Sequence, residues 1–223
     1  MEHVMIKALI KAYNTFQNKS KLKLIERMMG NENYFRDEII FYDEGRVISG
    51  IIHIKDDLKK IDTEIEFVKK SYDENDEKKD KLNFLYNKKR EYIKLISFHG
   101  SQNIKNIDES IAIWGDIKDN FIICLYGIKE YINNNKDEAY RLFNIYLDKG
   151  YSFENHYLLN KIYGEIMFEK KSYAESYKFF IKAIQYCPED IDIHLKLKEI
   201  YQYIGNENKL KVTNDIINIL GDD

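Results

Sequence analysis

Residues 157–188 read YLLNKIYGEIMFEKKSYAESYKFFIKAIQYCP, and the last of them, Pro188, is the only proline in the chain. Upstream of it stand Gly164, Tyr173, Ser176, Phe180 and Ala183. From the glycine an aromatic follows nine residues on. A small residue comes three later, a bulky aromatic four later, an alanine three later and the proline five later. Six residue types at fixed offsets form a specific signal.

That set is similar to one tetratricopeptide repeat, a helix-turn-helix unit of about 34 residues. In that family the small residue of the first helix lets the second helix pack closely. The departures are Asn160, where the family prefers a large apolar residue, and Met167, where it prefers an aromatic. A weaker copy precedes it: Gly127, Ala139 and Phe143 keep the small-small-aromatic spacing, and Asn133-Asn134-Asn135-Lys136 supplies a turn. Tyr146 stands where a late small residue is expected, and no proline ends that unit. A third copy has Leu197 and Tyr201, then Gly205-Asn206 at the turn, then Leu210, Ile216 and Ile217. Gly205 suits a turn because glycine reaches positive φ without strain. The third unit has Lys198 in place of the small residue; terminal repeats are often atypical because they cap the stack. The resemblance spans about residues 118–220. It implies a stack with a concave face that holds another protein, a binding architecture and not a reaction.

The 223 residues fit one large domain or two small ones. An apolar content of 44% is ample for a core. Charged residues make up 33% with a net charge of −3, which does not suggest a nucleic-acid binder. One proline and ten glycines argue for long helices and few tight turns. No stretch approaches about 18 consecutive apolar residues, so no membrane span is expected. The start, Met1-Glu2-His3-Val4, lacks an apolar signal-peptide core. Cys124 and Cys187 are far apart and not in metal-like spacing, so the expectation is a reduced, cytoplasmic location.

In the N-terminal half, residues 2–17 and 22–29 read as amphipathic helices, the second stopping at Gly30-Asn31. Val47, Ile51, Ile54, Leu58, Ile61, Ile65, Val68 and Tyr72 then alternate steps of four and three. That is a heptad seam. Residues 73–81 carry no apolar side chain, after which Leu82, Leu85, Tyr86, Ile93 and Ile96 resume a stripe with Lys89 as a polar interruption. Two arrangements compete: an antiparallel hairpin turning at Glu74-Asn75-Asp76, or one helix of about 50 residues and roughly 75 Å. The hairpin is preferred because a seam this apolar needs a partner. Residues 38–54 leave a second choice open, helix or a small β-hairpin around Asp43-Glu44-Gly45-Arg46. Gly100-Ser101 is the best internal boundary, and Trp114 is expected at the junction between the halves. The fold class is therefore all-α: residues 1–100 form a helical region with a long-helix, coiled-coil-like hairpin, and 101–223 form about three repeat-like helix pairs.

No catalytic motif is present: no Gly-rich phosphate loop, no Gly-x-Ser-x-Gly elbow, no His-Glu-x-x-His helix. His3, His53, His99, His156 and His194 are scattered and lack close cysteine or histidine neighbours in sequence. Cys124 sits in Phe121-Ile122-Ile123-Cys124-Leu125, which reads as core. Cys187 has no cation beside it in sequence to activate it. Asp73-Glu74-Asn75-Asp76-Glu77 lacks the alternating ligands and central glycine of a calcium loop. Lys78-Lys79-Lys81 and Lys88-Lys89-Arg90 face Asp62, Glu64 and Glu66 if the hairpin forms, which favours cross-helix pairing over a phosphate site. The expectation is a non-enzymatic protein with no cofactor and no metal.

Carrying the family's groove spacing over gives Phe121, Ile128 and Tyr131 from the first unit and Leu158, Lys161, Glu165 and Phe168 from the second. The third contributes Asp192, Leu195, Glu199 and Gln202. Only Lys161 in this set is basic, so the chain departs from the family's carboxylate-gripping variant. The surface suits a protein segment with apolar anchors and some positive charge. Against this, Phe121-Ile122-Ile123-Cys124-Leu125-Tyr126 is apolar on every side, which suggests burial all round. The leading expectation is an adaptor or chaperone-like module. The alternatives are an oligomerisation subunit that forms a homodimer through the heptad region, and an accessory subunit of an enzyme system.

Overall fold

The computed structural model describes residues 45–71, 76–154 and 156–221. Among the described residues there are nine α-helices, one short 3-10 turn and no strand. The all-α reading therefore holds. The helices expected over 2–17 and 22–29 lie outside the described residues, as do residues 38–44 of the β-hairpin alternative. Residues 45–54 of that alternative are helical. The described residues fall into two compact units, 45–122 and 123–221.

In the first unit α1 (Gly45–Ser71) packs against α2 (Asp76–Gly100) as an antiparallel hairpin. Ile61, Ile65 and Val68 of the heptad seam are buried with Leu85, and Leu82 and Tyr92 flank them. This is the two-helix arrangement, and the apolar seam explains it: one long helix would leave these side chains in water at roughly 1.5–3 kcal/mol each. Ion pairs cross the hairpin, Lys89 to Asp62 at 2.5 Å and Lys81 to Glu64 at 3.6 Å. The stripe of α2 differs in detail from the sequence reading. Tyr86 points outward at 45% exposure, and Lys89, read as an interruption, reaches across to Asp62. Lys78 is buried and its ammonium donates to the Lys69 carbonyl at 3.1 Å, capping a last-turn acceptor of α1.

Beyond α2 the chain turns at Gly100-Ser101, with Ser101 N–H donating to the Ser97 carbonyl at 2.8 Å. A 3-10 turn, Ile104–Asn106, leads into α3 (Ile107–Ile117). These elements belong to the first unit. Trp114 is buried and packs on Phe121 at 4.8 Å between ring centroids, and Phe98 meets Phe121 at 5.2 Å. The Arg90 guanidinium donates to the Ile117 carbonyl at the end of α3. Trp114, expected at the junction of the halves, is thus part of this unit's own core.

The second unit consists of three helix pairs. They are α4 (Ile122–Ile132) with α5 (Lys136–Asp148), α6 (Tyr157–Glu169) with α7 (Tyr173–Ile184), and α8 (Ile191–Tyr203) with α9 (Glu207–Gly221). The turn inside each pair is built the same way. One residue has positive φ: Asn134 at 62°, Lys171 at 59° and Gly205 at 68°. Its N–H donates to the carbonyl three residues back, on Tyr131, Phe168 and Gln202 respectively. The next N–H, of Asn135, Ser172 or Asn206, reaches five residues back, to Glu130, Met167 or Tyr201. These are C-terminal caps of the helix that satisfy its last carbonyls. Their repetition fixes a common register, in which Tyr131, Phe168 and Gln202 are equivalent.

Packing follows the same register. Gly127 lies under the Phe143 ring, and Gly164 lies under Phe180. Both rings are fully buried. Ser176 donates to the Gly164 carbonyl at 2.8 Å, which stitches α7 to α6. In the third pair Leu197, Ile200 and Tyr201 meet Val212 and Ile216 in a core shared with Phe180 and Ile184. Asn160 explains its own departure from the resemblance. Its amide nitrogen donates to the Phe153 and His156 carbonyls at 2.8 and 2.9 Å, tying the α5–α6 connection to α6. Phe153 in that connection is itself buried among Phe143, Tyr146, Tyr163 and Phe179.

Candidate functional site

Within the second unit a cleft of about 810 Å³ opens along the C-terminal ends of α4 and α6 and the length of α8. Its apolar surface comes from Tyr131, Phe168, Tyr173 and Leu195. Phe168 and Tyr173 contact each other at 5.4 Å, and Tyr173 continues to the largely exposed Tyr203 at 4.7 Å. The aromatic line thus runs from the cleft onto open surface. Apolar area left facing water in this way is available for burial against another chain.

The carboxylates of the cleft are held by neighbours. The Tyr131 hydroxyl donates to Glu165 at 2.6 Å, joining α4 to α6. Burial, then the bond to Glu165, pushes the Tyr131 phenol well above its ordinary value. Burial likewise lifts the Glu165 carboxyl above the usual range, with the Tyr131 bond and Lys161 opposing it. Lys136 pairs with Glu169 at 2.5 Å. Lys196 approaches Glu199 at 3.5 Å and lies over the Phe168 ring at 4.6 Å.

Deeper in the same unit, Asp190 caps α8 by accepting from the N–H groups of Asp192 and Ile193. It also accepts from the Tyr157 hydroxyl and from Lys161, the latter at 2.7 Å. Lys161 reaches Asp192 as well, at 3.3 Å. Burial acts to lower the Lys161 ammonium, but Asp190, Glu165 and Asp192 outweigh it and the net shift is upward. Both cysteines are buried, and burial pushes the Cys124 thiol well up, away from the reactive thiolate. Among the described residues no three His, Cys, Asp or Glu side chains come together as a metal site would require.

Seven of the residues picked from sequence line this cleft: Tyr131, Glu165, Phe168, Asp192, Leu195, Glu199 and Gln202. Four do not. Phe121, Ile128 and Leu158 are buried at 5%, 0% and 5% exposure, so their side chains pack inward and present no surface. Phe121 and Ile128 flank the apolar run around Cys124 and Leu125, both fully buried. Lys161 is half-buried and engaged with two aspartates, so it offers no free cation. Sequence reasoning missed Glu169, Lys171, Tyr173, Lys196 and Lys198 on the cleft wall. Lys198 carried a signal, since it replaces the small residue of the repeat. Glu169, Lys171 and Tyr173 lie on or beside the turn, where groove spacing taken from one helix does not reach, and Lys196 lies within α8 beside Leu195.

Compared with protein-family models, with curated proteins and with solved structures, the chain gives no match. Among the described residues no helix is long and apolar enough to cross a membrane.

Proposed function

We propose that the second unit is a tetratricopeptide-like interaction module, and that the protein is a non-enzymatic, cytoplasmic adaptor holding a segment of another protein in the cleft. The observation that carries this reading is the placement of the cleft. It is bordered by Tyr131, Phe168 and Gln202, the three residues that the repeated turns make equivalent. Two further observations support the repeat reading, the glycine-on-phenylalanine contact in two successive pairs and the burial of Pro188.

Captured first by pull-down from the native cell, the partner would be titrated against Leu195→Glu and Phe168→Ala. Leu195 is 41% exposed, so its substitution tests the surface without opening the core. Loss of about 1–3 kcal/mol of binding is expected if these side chains are anchors. Normal binding by both variants would remove the cleft from the function.

A second reading places function on the hairpin, as an oligomerisation surface. It is favoured by Phe67 and Phe84, which are 59% and 65% exposed on α1 and α2. Phe67→Ser with Phe84→Ser would then convert a dimer to a monomer in sedimentation, whereas the adaptor reading leaves the mass unchanged.

A further inference from the structure

This inference rests on reading the cleft as a docking groove and concerns the charge of what it holds. Each of the four carboxylates on its wall already has a partner within the unit, a neutral hydroxyl for Glu165, a lysine shared with Asp190 for Asp192 and a lysine for each of the other two. Glu165 accepts from Tyr131, Glu169 is paired with Lys136, Asp192 with Lys161, and Glu199 with Lys196. Three lysines share the wall, and Lys196 is the one engaged. The ammonium groups of Lys171 and Lys198 make no ion pair, hydrogen bond or ring contact among the described residues.

Both lysines stand where the chain breaks its own repeat. Lys171 occupies the positive-φ position of its turn, at 59°, where the other two turns have Asn134 and Gly205. Asparagine and glycine adopt that conformation readily, and a lysine there costs about 1 kcal/mol. Lys198 occupies the helix position that Gly127 and Gly164 hold in the first two pairs. The repeat needs neither lysine for its packing. Two independent departures therefore bring two uncompensated positive charges to one cleft, beside the apolar surface of Phe168 and Leu195.

We propose that the occupant is an acidic, apolar segment of a partner protein, with carboxylates on Lys171 and Lys198 and an aliphatic or aromatic side chain against Phe168 and Leu195. This reverses the polarity expected from sequence, which counted the carboxylates of the groove without their internal partners. The complementary charge sets register and entry, and the apolar contact supplies the burial.

The test pans a phage-displayed library of random short peptides on the full chain. Selected sequences are then remade with a fluorescein label for anisotropy titration. Peptides rich in Asp or Glu beside Leu, Phe or Tyr are expected. Lys171→Asn and Lys198→Gln should each weaken them about fivefold, and Lys171→Glu about tenfold, with added salt weakening them further. Lys171→Asn keeps the turn, because Asn134 serves there in the first pair, so the proposal stays testable if Lys198→Gln fails to fold. Selection of Lys- or Arg-rich peptides that Leu195→Glu abolishes would overturn the acidic occupant while leaving the groove. Acidic peptides indifferent to both lysine variants would do the same. Displacement by pyrophosphate as readily as by unlabelled peptide would overturn it in favour of a phosphate ligand. A panel with no peptide sensitive to Leu195→Glu would overturn the groove reading itself.

Discussion

The Phe180 ring rests on the backbone of Gly164 so closely that a Cβ built on the glycine would stand 2.7 Å from Cδ1 of the ring. The preceding pair repeats the relationship, with Gly127 and Phe143 at 2.5 Å. Real side chains do not approach to that distance, so the ring can seat only because the Cβ is missing. Helix spacing in both pairs is set by this contact.

Gly164→Ala and Gly127→Ala are therefore expected to overpack the helix crossing and to cost about 1–3 kcal/mol each. Phe180→Ala and Phe143→Ala leave cavities and should cost about 3–5 kcal/mol. Chemical denaturation followed by circular dichroism measures both. Glycine variants within about 0.5 kcal/mol of wild type would mean that the crossing is adaptable and not set by the contact.

The glycine and phenylalanine positions were legible because steric fit leaves a residue-type signature at fixed spacing. The heptad seam was legible for the same reason: Ile61, Ile65 and Val68 are buried where the steps of four and three put them. The cleft was legible only along one helix face. Its lysines come from a turn and from a broken repeat position, and neither follows from helical periodicity. Charge was the least legible property. Whether Glu169 or Asp192 is free depends on Lys136 and Lys161, which lie 33 and 31 residues away in sequence.

The hairpin separates two kinds of contribution. Ile65→Ala removes a side chain only 4% exposed in the α1–α2 seam and is expected to cost about 2–5 kcal/mol. Asp62→Asn breaks the Lys89 pair, whose members are 52% and 34% exposed, and should cost less than about 1 kcal/mol. The two variants are compared by denaturant titration, with α1 and α2 helicity followed by hydrogen exchange. Equal losses would mean that the ion pairs, and not the seam, hold the helices together.

Glu165 behaves unlike an ordinary surface carboxylate. Burial raises its folded-state value above the ordinary one, so its contribution is favourable below the unfolded value and lost as pH rises through the folded value. At neutral pH the ionised group is a cost. Glu165→Gln removes that charge and keeps an oxygen for the Tyr131 hydroxyl, and its stability should equal or exceed wild type. Glu165→Ala leaves the Tyr131 donor without its acceptor and should lose about 1–3 kcal/mol. Thermal melts at neutral pH decide between these outcomes, and a glutamine variant as weak as the alanine variant would show that the carboxylate charge is needed.

His194 gives the fold an acid-sensitive point. The ring is 1% exposed, and its Nε2 lies 2.6 Å from the Pro188 carbonyl, which assigns the proton of the neutral ring to Nε2. Burial lowers its value below the ordinary 6.5, against the opposing pull of the Pro188 carbonyl, Asp190 and Glu189. The unfolded chain therefore takes up this proton first as pH falls. The stabilisation is complete above about pH 6.5 and is lost on acidification toward the depressed folded value, at up to about 1.4 kcal/mol per pH unit. His194→Gln can still donate to the Pro188 carbonyl and does not titrate. Denaturation at pH 6.5 and 5.5 should show wild type losing more stability than the variant, and parallel losses would place the acid sensitivity elsewhere.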